Sequence, residues 1–186
     1  MGCCSSKSSA DALEVQNSSA APSIGIPANL RGAGVEMHEG DPLTVTGKGA
    51  AMASAPIEQD AAYWEVKVLK AGSIRMGVSR KLNVKELEAG VSGGGDAPRS
   101  WTYADDNLNE GDVIGVAFSQ SDLPNLAFTK NGKPRPTADV RKIGGMVYPV
   151  VSVNDGATVK VVFESEEFAN SPPSRFSALM VAQSVL

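Results

Sequence analysis

The residues able to do chemistry are few, and the two most suggestive stand side by side. Cys3 and Cys4, in "MGCCSSKSSA", are the only cysteines among 186 residues. Adjacent thiols could form a redox couple, supply half of a metal site, or accept fatty acids. The single histidine, His38 in "EMHEG", lies far along the chain. Four tetrahedral zinc ligands cannot be drawn from two neighbouring cysteines and one distant histidine. A Ser–His or Cys–His nucleophile has no evident second group either. His38 is therefore read as a surface or edge-strand residue, and no metal, cofactor or catalytic residue is expected.

Fatty acylation fits better. Gly2 follows Met1, and Ser6 occupies the last position of M-G-x-x-x-[ST], with Lys7 next. With Met1 removed, Gly2 carries the amine for N-myristoylation. One myristoyl chain gives an association constant of only about 10⁴ M⁻¹, so a second signal is required. The opening segment has Lys7 against Asp11 and Glu14 and no basic cluster. Cys3 and Cys4 are thus the expected S-palmitoylation sites, each chain adding roughly 0.8 kcal/mol per buried methylene. This predicts a place on the cytosolic face of a membrane, plasma or flagellar/ciliary, and a cytoplasmic protein if acylation does not occur.

Other candidate motifs dissolve under their own chemistry. "DDNLNEGD" gives Asp105, Asn107 and Asn109 the i, i+2, i+4 spacing of a calcium loop. Glu110 stands where glycine is required, and Val116 replaces the bidentate glutamate. A polar turn is expected there. The runs "SGGGD" and "TGKGA" lack the Gly-Lys-Ser/Thr ending of a phosphate loop. Glu166 and Glu167 form a solvated exit from the last strand, and no strand shows the facing pair of acids a glycosidase needs. The C-terminal "QSVL" fits a short carboxylate motif captured by strand addition, although Val185 and Leu186 covering the domain or hanging free is the simpler reading.

The elements that must position any site are strands. Composition is 42% hydrophobic and 20% charged, enough for one core. The net charge of -4 argues against nucleic acid. No apolar run approaches the roughly 18 residues that span a bilayer, and no secretory signal is visible. "LTVTG", "YWEVKVLK" and "SIRMGVSR" alternate apolar and polar residues, with Trp64, Val66 and Val68 inward and Glu65 and Lys67 outward. "DVIGVAFS" is apolar on both faces and predicts a central strand. Asn131-Gly132 marks a tight hairpin, and Asn154-Asp155-Gly156 joins two further strands. One short helix is predicted from Val84 to Ala89, stopped by Gly90. About ten short strands at this spacing mean a two-sheet sandwich or a closed barrel. Past Pro172-Pro173, "RFSALMVAQSVL" reads as one or two helical turns, packed back or loose.

The order "YWEVKVL", "IRMGVSR", "SWTY", "GDVIGVAFS", "LAFTKNGK", "YPVVSVNDGATVKVVF" resembles the SPRY domain, from about Val35 to Phe163. The segment Lys81 to Arg99 departs from the common pattern. The resemblance implies an all-β fold, a two-layer antiparallel β-sandwich of concanavalin-like jelly-roll type. It divides the chain into a flexible, disordered tail (1–30), the SPRY domain (31–168) and a C-terminal extension (169–186). It implies a monomeric module whose loops grip a peptide or protein partner, and no enzyme. Pro56 and Arg80 enter loops expected on one rim. Trp101 and Tyr103 either cap the core or offer an aromatic anchor there, where hot spots favour Trp, Tyr and Arg. Trp64 is read as core. The functional expectation is a membrane-tethered adaptor. A soluble adaptor without the anchor stands second, and a carbohydrate-active protein on the same sandwich third.

Overall fold

Residues two apart on a strand share a face, and in the computed structural model the apolar faces meet in one core. The structure describes residues 23–92 and 99–181. The strands are β1 (Val35–His38), β2 (Asp41–Gly47), β3 (Gly49–Met52), β4 (Ala61–Lys70), β5 (Ser73–Ser79), β6 (Ser100–Ala104) and β7 (Val113–Ser119). They continue with β8 (Asn125–Lys130), β9 (Lys133–Pro134), β10 (Val140–Arg141), β11 (Tyr148–Asn154), β12 (Thr158–Val162) and β13 (Ser177–Ala178). The large sheet runs β1-β2-β12-β4-β7-β8-β10, with β9 on β8 and β13 on β4. The small sheet runs β3-β11-β5-β6. The described pairs are antiparallel except β13 on β4. This is the expected two-layer antiparallel sandwich.

Trp64, Val66, Val68, Ile114, Val116, Phe118, Leu126 and Phe128 from the large sheet face Ile74, Met76, Val78, Val151 and Val153 from the small one, all buried. Each such side chain stabilises the fold by roughly 1.5–3 kcal/mol. Strand β7 lies in the middle of its sheet and is buried on both faces, as its sequence requires. Asn131 (φ 51°) and Gly132 (φ 75°) make the hairpin turn between β8 and β9, and the Asn131 side chain accepts a 2.8 Å hydrogen bond from the Val113 N–H. The helix α1 spans Val84–Ala89 as predicted. The Asn83 side chain accepts from the Glu86 N–H at 3.0 Å, and the Asn83 N–H donates back to Glu86 at 2.7 Å, a reciprocal cap.

Two segments and one residue depart from the sequence reading. Ile24 and Ile26, assigned to the tail, are buried in the core between the sheets, and Leu30 is buried in the patch under α1, so the domain extends to residue 24 at least. The extension after Asn170 is extended rather than helical as far as Val181. Ser177 and Ala178 pair with Ala62 and Tyr63, and Leu179 is buried.

Glu65, expected to face solvent, is fully buried. Residues 164–176 cross the outer face of the large sheet as a strap, and Glu65 is its clamp. Its carboxyl oxygens accept hydrogen bonds from the Tyr63 hydroxyl (3.1 Å), the Ala169 N–H (2.7 Å), and the Asn170 N–H (2.9 Å) and side-chain amide (3.1 Å). Phe168 packs edge-on against Tyr63 at 5.0 Å. Burial, and then the neighbouring Glu65, push the Tyr63 hydroxyl pKa well above its ordinary value. A Cβ at Gly115 would meet the Tyr63 hydroxyl and Thr129, so only glycine leaves the phenol room.

Candidate functional site: a loop rim at one end of the sandwich

Strand direction gathers four loops at one end, because β3, β5 and β7 finish there while β4, β6, β8 and β11 begin there. The loop after β3 is knit to its neighbours by backbone bonds. Ala53 N–H donates to Pro149 O and Ile57 N–H to Val147 O, both at 2.9 Å, and Gln120 N–H donates to Asp60 O at 2.8 Å. Gln59 binds the Ala61 carbonyl, the Ser177 hydroxyl and the Ala178 carbonyl through its amide nitrogen, while its oxygen accepts from Met180 N–H. Ser54 meets Gly25 through paired hydrogen bonds, which fix the segment around Gly25 to this rim. Loops held this firmly lose little entropy when a partner binds.

The sequence-based candidates separate here. Pro56 and Arg80 share the rim, bridged by residues 144–147. Arg80 is exposed, and its Nε donates to Gly144 O at 3.0 Å. Gly145 beside it takes a left-handed backbone conformation (φ 83°) that favours glycine.

Trp101 does not offer an anchor. Paired with Val78, it points into the core and is 5% exposed, with the Arg80 guanidinium 5.8 Å from its ring centroid. The surface at that point is Arg80, with the indole beneath. Tyr103 is inward on the same strand face and leaves the rim altogether. It pairs with Met76, tilts against Phe128 at 4.9 Å, and donates to Asp105 at 2.9 Å. Burial first, then Asp105, raise its pKa.

Exposed apolar side chains on the rim escaped the sequence reading. Leu123 is 82% exposed, and Met146 and Met180 are each 60% exposed. Large apolar residues in the turn-like stretches "SQSDLPN" and "GGMVY" were the available signal. A rim that combines them with an arginine and a proline has the composition of a protein contact.

The polar turn between β6 and β7 lies at the other end. Asp105 accepts from Tyr103, the Asn107 N–H and Arg135, while Asp112 accepts from the Asn109 N–H, Asn131 and Lys130. Both carboxylates are thus committed to holding the turn and to cations. Burial works to raise the Asp112 pKa, but the Lys130 hydrogen bond, the two local donors and the Lys130 charge hold it down to about 2. Among the described residues, no group of three histidine, cysteine or acidic side chains converges on a metal position. His38 ends the edge strand β1, exposed, with Nδ1 2.8 Å from the Glu39 carbonyl. Glu166 and Glu167 are exposed in a 3₁₀ turn, and Glu167 pairs with Lys160 at 3.1 Å. Trp64 is core, as expected. Gly2, Cys3, Cys4, the run "GGGD" and "QSVL" lie outside the described residues. No described helix is long and apolar enough to cross a membrane.

Comparison with solved structures gives the class of this architecture. A crystal structure of a human SPRY domain superposes with a TM-score of 0.52 over 69% of this chain and 94% of its own, at 20% identity. The TRIM65 PSpry domain gives 0.53 over 76% and 90%, at 10% identity. The Drosophila melanogaster neuralized NHR1 domain gives 0.51 over 77% and 99%, at 11% identity. The fold is therefore the SPRY-type sandwich. Among curated proteins, the chain is similar to SPRY domain-containing protein 7 of Homo sapiens and of Mus musculus. Each is 28% identical over 154 residues, covering 76% of this chain and 76% of the relative. No family model matches the chain. Fold and relatives together make the chain similar to SPRY domain proteins, which are protein–protein interaction modules. Proteins of this kind are generally interaction modules rather than enzymes.

Proposed function

We propose that this chain is a membrane-tethered adaptor whose SPRY sandwich binds a protein or peptide partner through the rim that carries Pro56 and Arg80. The observation that carries the reading is the rim itself: Leu123 and Met146 are exposed there, and Arg80 is tied to Gly144 on the loop before β11. Such a surface offers apolar area and directed donors with little backbone ordering left to do. The tether rests on residue types alone, Gly2 for myristate and Cys3 with Cys4 for palmitate, at the cytosolic face of a plasma or flagellar/ciliary membrane.

Metabolic labelling with alkyne myristate and alkyne palmitate tests the tether. Wild type is expected to take up both labels, Gly2→Ala to lose both with its membrane fraction, and Cys3→Ser/Cys4→Ser to keep only myristate. Absence of label on the wild type, or unchanged fractionation of the variants, overturns it.

A further inference from the structure

The small sheet carries a second surface, at the end away from the rim and opposite in chemistry. A cleft of about 170 Å³ opens between the end of α1 and the sheet, lined by Lys48, Ser73, Arg75, Gly90, Ser152 and Asn154. Alternation in β5 dictates its key residue. Ile74 and Met76 are buried in the core, so Arg75 between them points outward, across from Ser152 on β11. Gly90 (φ 79°) shapes the wall, because a Cβ there would come within 2.7 Å of the Ser152 hydroxyl. Lys48 is exposed and Arg75 half-buried, and among the described residues neither forms a salt bridge.

A larger cleft of about 380 Å³ adjoins it, sharing Ser73 and Arg75 and bounded by Asp105, Asp106 and Asp155. Asp105 is occupied by Tyr103, Asn107 and Arg135. Asp106 and Asp155 are exposed, and among the described residues neither forms a salt bridge. Two cations thus line one lobe and two acids the next, with Arg75 at the junction.

We infer that this two-lobed cleft is a second docking surface for an extended peptide of the partner. The peptide puts an acidic side chain between Lys48 and Arg75, and a basic side chain against Asp106 and Asp155. A planar guanidinium receives a carboxylate through two parallel hydrogen bonds, and Lys48 supplies the second positive charge. Opposite charge in neighbouring lobes fixes the direction in which a peptide can lie, because the reversed chain meets like charge in both. The inference rests on the reading of the chain as a protein-interaction module. It adds a site that the loop rim does not include.

Selection of a random peptide display library on the full chain, followed by affinity measurement of synthetic copies, tests it. Enriched peptides are expected to pair an acidic with a basic residue a few positions apart. Binding is expected to fall about tenfold or more in Arg75→Glu, and in the milder Lys48→Gln and Arg75→Gln. A peptide with both charged residues replaced by glutamine is expected to bind wild type about tenfold or more weakly. Unchanged melting temperature and far-ultraviolet circular dichroism show that each variant is folded. Enriched peptides that ignore these substitutions and depend on Arg80 overturn the cleft while leaving the interaction module standing. A library that yields no binding peptide overturns both.

Discussion

The two sheets cover their outer faces by different physics. On the small sheet, α1 and its flanking loops lie over an apolar patch in which Leu30, Ala50, Met52, Leu82, Leu87, Val91 and Val150 pack together. On the large sheet, the strap lies over a tyrosine and a glutamate, and the cover is held by hydrogen bonds to a buried carboxyl. Apolar packing yields by degrees when one side chain shrinks. A buried polar cluster is a single unit, because removing its centre strands every donor at once. The strap should therefore fail sharply and the helix gradually.

The largest effect is expected at that centre. Glu65→Ala leaves the Tyr63 hydroxyl and the Asn170 donors without an acceptor under the strap, a loss of about 3–5 kcal/mol in denaturant unfolding. Glu65→Gln keeps the shape but replaces one acceptor with a donor, and should recover only part of that loss. Proteolysis should show cleavage first in residues 164–176. A variant that melts like wild type with an intact strap would remove the contrast.

Leu87→Ala comes next. It removes a side chain that is 1% exposed beneath α1, a cost of about 2–4 kcal/mol. Hydrogen exchange should quicken in residues 82–91 while the strap keeps its protection. Loss of protection in both covers would mean that they are one unit.

The smallest effect concerns acid. The Asp112 pKa, held at about 2, lies below its ordinary value of 3.8. The stability this group contributes is therefore complete above about pH 4 and disappears as pH falls through about 2. Thermal melts across that window should fall by less in Asp112→Asn than in wild type, the variant having lost the contribution at every pH. Identical acid profiles for the two would show that the turn does not depend on the ion pair with Lys130.

The sandwich was legible wherever the information was local. Alternation placed the faces of β4 and β5, an unbroken apolar run placed β7 in the middle of its sheet, the Asn131-Gly132 pair placed a hairpin, and Gly90 placed the end of α1. Glu65 was not legible, because alternation says which face a residue takes and is silent about what covers that face. Its partners Ala169 and Asn170 lie more than a hundred positions away, in a segment with no period. Ile24 and Ile26 failed for the related reason that a Ser- and Ala-rich surrounding hid two core residues.

At the site, Arg80 and Pro56 followed from strand ends. Trp101 and Tyr103 share one face of β6, as their spacing of two requires. That spacing leaves open whether the face caps the core or meets a partner, and the fold turns it inward. Leu123 and Met146 required knowing that their loops converge, which depends on strand order rather than on any one stretch.

The rim is tested most directly by affinity capture with the full chain against Arg80→Glu/Met146→Ser, both shown to be folded by circular dichroism. Arg80 and Met146 are surface residues, so the pair should spare the fold while changing the charge and apolar area of the rim. Wild type is expected to retain a protein partner that the double variant loses by about tenfold or more. Equal retention of the same partner by both would contradict recognition through this rim.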